Sequence, residues 1–207
     1  QRGGGDLTIA SSATVTGFTG LRIVSDGSIT DLTGRISQLD ITVDEGGVLK
    51  LTGDDFSNGI AGGGGIESVS GENSFTTAVK NFTGPTGLSG GSLDLQVADA
   101  IANSSEVQFN GGDLIASTNQ TLKSVSGTNA SSNLNLNNDS NVTINDVSGG
   151  TLGASLNVDG DSTLTFNQSS GDAVLTGTLS GEGSLNKSGT SKLTLDNSAN
   201  NSIGQIS

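Results

Sequence analysis

Residues 181–197 read GEGSLNKSGTSKLTLDN, and two incompatible local structures compete for this stretch. With glycine in place of Asn186, its first eight residues would complete G-x-x-x-x-G-K-S, the loop that cradles nucleotide phosphates. Such a loop follows a buried strand and opens a helix, so that backbone N–H groups and the helix dipole face the phosphates. Here Leu179 is a lone apolar residue ahead of the loop, and SKLTLDN behind it alternates at period two. Alternation of that kind is a strand signal, so no helix follows. The stretch reads as coils of β-structure: glycines turn the corners, Leu185, Leu193 and Leu195 enter a core, and Lys187 faces solvent.

The same alternation recurs along the chain. Apolar-polar-apolar runs stand at residues 7–9, 13–15, 21–23, 41–43, 48–51, 93–97, 107–109, 134–136, 142–144, 156–158, 164–166 and 193–195. Each predicts a short strand with one buried and one wet face. Between them lie Gly-Gly, Asn-Gly, Asp-Gly and Ser-Gly pairs, such as Asn110-Gly111-Gly112 and Asp159-Gly160, which suit tight bends. The best helix candidate, VADAIAN at 97–103, is one or two turns long.

Composition narrows the architecture. Gly makes up 33 of 207 residues, about twice its usual share, and the aromatics are six Phe with no Tyr or Trp. Only 31% of residues are hydrophobic, too few large side chains for a thick core. Periodic order and a single Pro argue against a disordered chain. A sandwich and a barrel remain possible, but sandwich strands are usually longer. A parallel β-helix fits best, because stacked coils need only a single-layer filling of Leu, Ile and Val. The expected fold is therefore a right-handed parallel β-helix of roughly ten rungs, at the ~20-residue recurrence typical of solenoids. It spans 1–207 as a single segment. Rungs over 54–91 are expected to be irregular and loop-rich, since they hold four consecutive glycines and the sole proline, Pro85.

Charge and missing residue types exclude several chemistries. A net charge of −13 disfavours nucleic acid and anionic membranes, which need clustered Lys and Arg. The chain has no Cys and no His, so disulfides, thiol chemistry, a Ser-His-Asp set and the usual transition-metal ligands are out. No apolar run reaches the ~18 residues of a membrane span. The first residues, QRGGGDLTIA, lack the apolar core of a signal peptide; either none existed or this is an excised piece of a longer chain.

Within the opening stretch, Gly181, Gly183, Leu185, Lys187, Gly189, Leu193 and Leu195 match a repeat that runs roughly G-x-G-x-L-x-K-x-G-x-G-x-L-x-L. The segment resembles the β-helix repeat of autotransporter passenger domains, the secreted part of Gram-negative surface proteins. Residues 95–127, LQVADAIANSSEVQFNGGDLIASTNQTLKSVSG, look like the neighbouring rung type of such passengers. The likeness covers about 88–207. Ser191 departs from the repeat, standing where a further glycine is usual, and NSANNSIGQIS lacks the aromatic that often follows the turn. The resemblance implies a passenger segment displayed at the cell surface or secreted, and translocated by a C-terminal outer-membrane β-barrel. It implies adhesion, self-association or biofilm formation, with the same chain or a host matrix protein or glycan as partner.

No catalytic, cofactor-binding or metal-binding residues are assigned, and the chain is read as non-catalytic. The alternative is a carbohydrate-active β-helix, a glycan hydrolase or lyase, using paired acids. Asp54-Asp55 is the candidate pair, with Asp44-Glu45 and Asp159-x-Asp161 behind it, although Asp is a common turn residue. Calcium finds only the fragment GGGD at 3–6. An ice-binding array would need regular Thr-x-Thr, and Thr14, Thr16, Thr163 and Thr165 are scattered in sequence. Asn-rich NLNLNNDSN at 133–141 suggests amide ladders running along a solenoid, with a polar face able to mate with its like on another molecule.

Overall fold

Two apolar residues separated by a polar one are enough to anchor a three- or four-residue strand, and the chain repeats this unit instead of lengthening it. A computed structural model of the chain describes residues 5–9, 20–23, 27–31, 39–57, 59–77, 80–198 and 201–207. Their strands form five sheets in which every recorded pairing is parallel. Sheet I stacks Gly5–Ile9, Gly27–Asp31, Val48–Leu51, Gly65–Ser68, Thr86–Leu88, Val107–Phe109 and Val125–Ser126. Sheet II holds Gly20–Ile23, Asp40–Val43, Ile60–Gly62 and Asn81–Phe82. Sheet III is built from Asp55–Phe56, Glu72–Phe75, Ser92–Leu95, Asp113–Ala116, Asn133–Leu136, Ser155–Val158 and Leu179–Ser180. Sheet IV carries Gln120–Leu122, Asn141–Ile144, Thr163–Phe166, Ser184–Lys187 and Gln205–Ile206. Sheet V has Thr151–Leu152, Ala173–Leu175 and Leu193–Leu195.

Consecutive strands of a sheet come from consecutive coils, which is what makes the fold a β-solenoid. Hydrogen bonds between successive coils join residues 18 to 24 apart, as from Thr86 to Ser104, from Asn133 to Asp113 and from Lys80 to Phe56. The stack has about 8 turns, against the roughly ten of the sequence reading. Part of the chain goes into long corners instead of new rungs. Residues 97–103, the helix candidate, form one of these: a run of turns in which Ala102 N–H donates to the Asp99 carbonyl and Ser104 N–H to that of Ile101. Among the described residues the one helical element is a 3₁₀ turn, Ser148–Gly150. The expected strand at 13–15 lies outside the described residues.

In-register stacking turns each inward position into a column. Leu93, Leu114, Leu134, Leu156 and Leu179 lie one over another in sheet III, all buried. Like stacks on like, so a core one side chain thick fills without large aromatics. Phenylalanines broaden it locally: the Phe56 and Phe75 rings meet edge to face at 6.1 Å.

Two features depart from the sequence reading of single residues. Lys187 stands in register with Phe166, in a core column, and is half-buried; its ammonium turns back to the carbonyls of Ser188 and Gly189. Its ammonium lies at an exposed position, while its parity along Ser184–Lys187 is that of buried Leu185. Leu193 and Leu195 hold inward positions too, yet Leu195 is 36% exposed, for no described coil covers that last strand of sheet V.

The glycine run at 62–65 sits within the stack. Gly64 is buried, and a Cβ there would lie 2.3 Å from the Asp44 carbonyl oxygen and 2.4 Å from Val43 Cγ1. Residues 59–77 and 80–91 follow the same coil pattern as their neighbours, with Ile60–Gly62, Gly65–Ser68, Glu72–Phe75 and Thr86–Leu88 all paired in register.

Candidate functional site

With alternate residues committed to the core, function falls to the outward positions, which the register also arranges in columns. On sheet IV one column runs Thr121, Thr143, Thr165 and Asn186. A second runs Asn141, Thr163, Ser184 and Gln205, with Asn119 ahead of it. A third links Asn145, Asn167 and Ser188 by hydrogen bonds. Asn167 Nδ2 donates to Asn145 Oδ1 at 3.0 Å, and Ser188 Oγ donates to Asn167 Oδ1 at 3.1 Å. Asn141 Nδ2 likewise donates to Asn119 Oδ1 at 3.2 Å. Of the threonines that look scattered in sequence, Thr163 and Thr165 share one strand, each in its own column, and Thr14 and Thr16 lie outside the described residues.

No named member of these three columns is charged. In a chain of net charge −13 sheet III shows the contrast, while sheet V has a shorter uncharged column of Thr151, Val174 and Thr194, and exposed Lys123 follows Leu122 at the edge of sheet IV. The outward residues of sheet III include Asp55, Glu72, Asp94 and Asp113, and a groove of about 310 Å³ is lined by Asp55, Glu72 and Asp94 with Ser74 and Gln96. Neutral residues do follow further along sheet III: Asn135 stacks on Asn157, and Asn133 Nδ2 donates to Asp113 Oδ1 at 2.8 Å. The Asn-rich run at 133–141 thus contributes to sheets III and IV both.

The acids singled out from sequence separate. Asp55 faces outward and accepts from Ser74 Oγ at 2.5 Å. Asp54 does not line the groove; its N–H donates to Asn73 Oδ1 at 3.2 Å. The groove instead brings Asp55 together with Glu72 and Asp94, an association the sequence hides because the three lie on successive coils. Asp44 pairs with Arg22 at 3.0 Å. Asp159 closes a turn, accepting from Ser162 Oγ and from Asn138 N–H. Among the described residues no cluster of three or more acids, His or Cys has the arrangement to hold a metal; Gly3 and Gly4 of GGGD lie outside them.

One residue that sequence patterning did not flag is Lys80. It is 0% exposed, held between coils with Nζ 3.1 Å from the Phe56 carbonyl oxygen and 5.1 Å from the centre of the Phe75 ring. Burial lowers its pKa from 10.5 to about 8, with Asp40 pulling the other way. Enclosure of this kind suits a structural role more than contact with a substrate.

Among the described residues no helix is long and apolar enough to cross a membrane. Comparison with protein-family models, with curated proteins and with solved structures gives no match.

Proposed function

We propose that the chain is a non-catalytic adhesive module that associates with copies of itself through the outward face of sheet IV. One observation carries this reading: the uncharged, in-register array of Asn, Thr and Ser on a strongly acidic protein. Two such chains repel wherever their carboxylates meet. A neutral face lets them approach, and its hydroxyls and amides are both donors and acceptors, so the surface complements itself. Each contact is worth little in water, and a column repeated on every coil multiplies it.

The passenger-like repeat at 181–195 supports the wider setting. In this reading the solenoid winds right-handed, as parallel crossovers overwhelmingly do. It stands on the outer surface of a Gram-negative cell or is released from it, after export through a barrel elsewhere in the parent chain. Adhesion between cells and biofilm formation follow from homotypic contact. A host matrix protein or glycan is the other partner class.

The test is sedimentation velocity over a concentration series, with cell clumping as a second readout for the displayed chain. Paired Thr143→Asp and Thr165→Asp should abolish association, while Asn157→Asp on sheet III should leave it intact. A wild-type chain that stays monomeric throughout, or a double variant that associates like wild type, refutes the proposal. A second reading has one observation in its favour: the groove that gathers Asp55, Glu72 and Asp94. A glycan hydrolase working there would lose turnover on substitution of Asp94 by Asn, and absence of turnover on a glycan panel would dismiss it.

A further inference from the structure

Sheet I carries a second groove, of about 250 Å³, on its outward face. Gly65 and Gly87 line its middle, Gly65 between Val48 and Pro85 and Gly87 between Glu67 and Gln108 on the neighbouring coils. The two floor glycines differ in origin. Gly65 is dictated by stacking, since a Cβ there would sit 2.7 Å from the Pro85 carbonyl oxygen. Gly87 is dictated by nothing in the fold. Its φ lies outside the left-handed region, and the nearest atom to an added Cβ would be Glu67 Cγ at 3.5 Å, an ordinary contact. Glycine in mid-strand weakens a sheet, and where no bulge or bend explains it, close approach of a ligand or of another backbone is the remaining reason to keep it. In the same column Lys50, Glu67 and Gln108 all carry long side chains, so the hollow exists because Gly87 lacks one.

Backbone amides beside the floor are engaged in the stack. Gly65 N–H donates to the Gly47 carbonyl and Ile66 N–H to that of Pro85, both at 3.0 Å. What the floor presents is C–H surface: glycine methylene, the Pro85 ring and Val48. The rim is polar and incompletely used. Glu67 Oε1 accepts from Ser89 Oγ at 2.8 Å, and Gln108 Nε2 donates to Glu106 at 2.8 Å. Glu67 Oε2, Gln108 Oε1 and the amide of Asn110, also in the lining, make no hydrogen bond to a described residue.

We infer that this groove binds one pyranose unit of a neutral glycan. A pyranose has a C–H face to lay on Pro85, Val48 and Gly87, and hydroxyls around its edge for Glu67, Gln108 and Asn110. Carboxylate and amide oxygens with free lone pairs call for a donor-rich ligand. Uronates and sulfated sugars are turned away by Glu67, Glu106 and the charge of −13. A basic side chain is a poorer match, because Lys50 stands in register beside Glu67 and would meet it as a like charge. With no aromatic platform, affinity for a single sugar is weak, on the order of millimolar. The site lies on sheet I, apart from the sheet IV face.

Saturation-transfer NMR with cellobiose, maltose and lactose, and with digalacturonate as the charged control, tests it. At least one neutral disaccharide should receive saturation from the wild-type chain and digalacturonate none. Gly87→Val fills the hollow and should weaken binding about tenfold or more, as should Glu67→Gln, which loses a charged acceptor. Valine suits a strand, so Gly87→Val should melt at or above the wild-type temperature, which separates loss of a site from loss of fold. No transfer from any of the three sugars, equal transfer from digalacturonate, or undiminished binding by folded Gly87→Val overturns the inference. Self-association of sheet IV variants is untouched by any of these results.

Discussion

Lys80→Met offers the sharpest test of how the solenoid interior is built. In the folded chain the lysine titrates at about 8, against 10.5 for the free side chain. A group whose pKa falls on folding destabilises the native state while protonated. That cost is fully present below pH 8, shrinks as pH rises and is gone above about 10.5. At ~1.4 kcal/mol per unit, the shift corresponds to up to about 3 kcal/mol at neutral pH. Methionine fills a similar volume, keeps contact with the Phe75 ring and carries no charge. The Phe56 carbonyl would lose the Lys80 ammonium but keep Thr76 N–H at 3.3 Å, so that acceptor stays satisfied. Lys80→Met should therefore be about 2–3 kcal/mol more stable than wild type at pH 7. The difference should vanish near pH 10.5. Urea unfolding followed by circular dichroism between pH 7 and 10.5 measures both quantities. The window is unusually clean, because the chain has no Cys or Tyr and only lysines and the amino terminus titrate in its range. A variant less stable than wild type at pH 7, or a wild-type chain with no rise in stability relative to the variant between pH 8 and 10.5, would refute the reasoning.

Two further outcomes concern the stack itself. Gly177→Ala places a Cβ 2.0 Å from the Ala154 carbonyl oxygen in the coil below, whereas a Cβ at Gly160 meets nothing within 4 Å. Thermal melts should show the first losing about 3 kcal/mol or more through overpacking, and Gly160→Ala staying within ~0.5 kcal/mol of wild type. Asn73, 1% exposed, accepts from the N–H groups of Gly53 and Asp54 and donates to Ser68, Ser70 and Ser92. Asn73→Leu matches the leucine that follows it in the column, yet should cost about 2–3 kcal/mol by urea titration, because two backbone donors lose their acceptor.

The strands were legible because alternation is local: LDL, VQF, LNL, VTI and LTF each announce one wet and one buried face without reference to any other coil. What was not legible depends on which coil lies next door. Lys187 reads as a surface residue until its register with Phe166 puts it in a core column. Lys80 sits in an unremarkable AVKNF, and only the approach of Phe56 and Phe75 reveals its enclosure. The run GGGG suggests a loop by composition, whereas its spacing answers to Val43 and Asp44 one coil away. For the same reason Asp54-Asp55 looked like the acidic pair, although the structure groups Asp55 with Glu72 and Asp94. The Thr121–Thr143–Thr165 column was present in the sequence all along, but finding it requires the coil length at each step.

Because the sheets are knitted along the stacking direction, each coil among the described residues bonds to the one before and the one after. A pull applied at the two ends would load those bonds one rung at a time, peeling coils in succession instead of rupturing the molecule at once. Such a filament yields gradually under shear, dissipating force through many small breaks, and it rewinds from whatever length remains stacked.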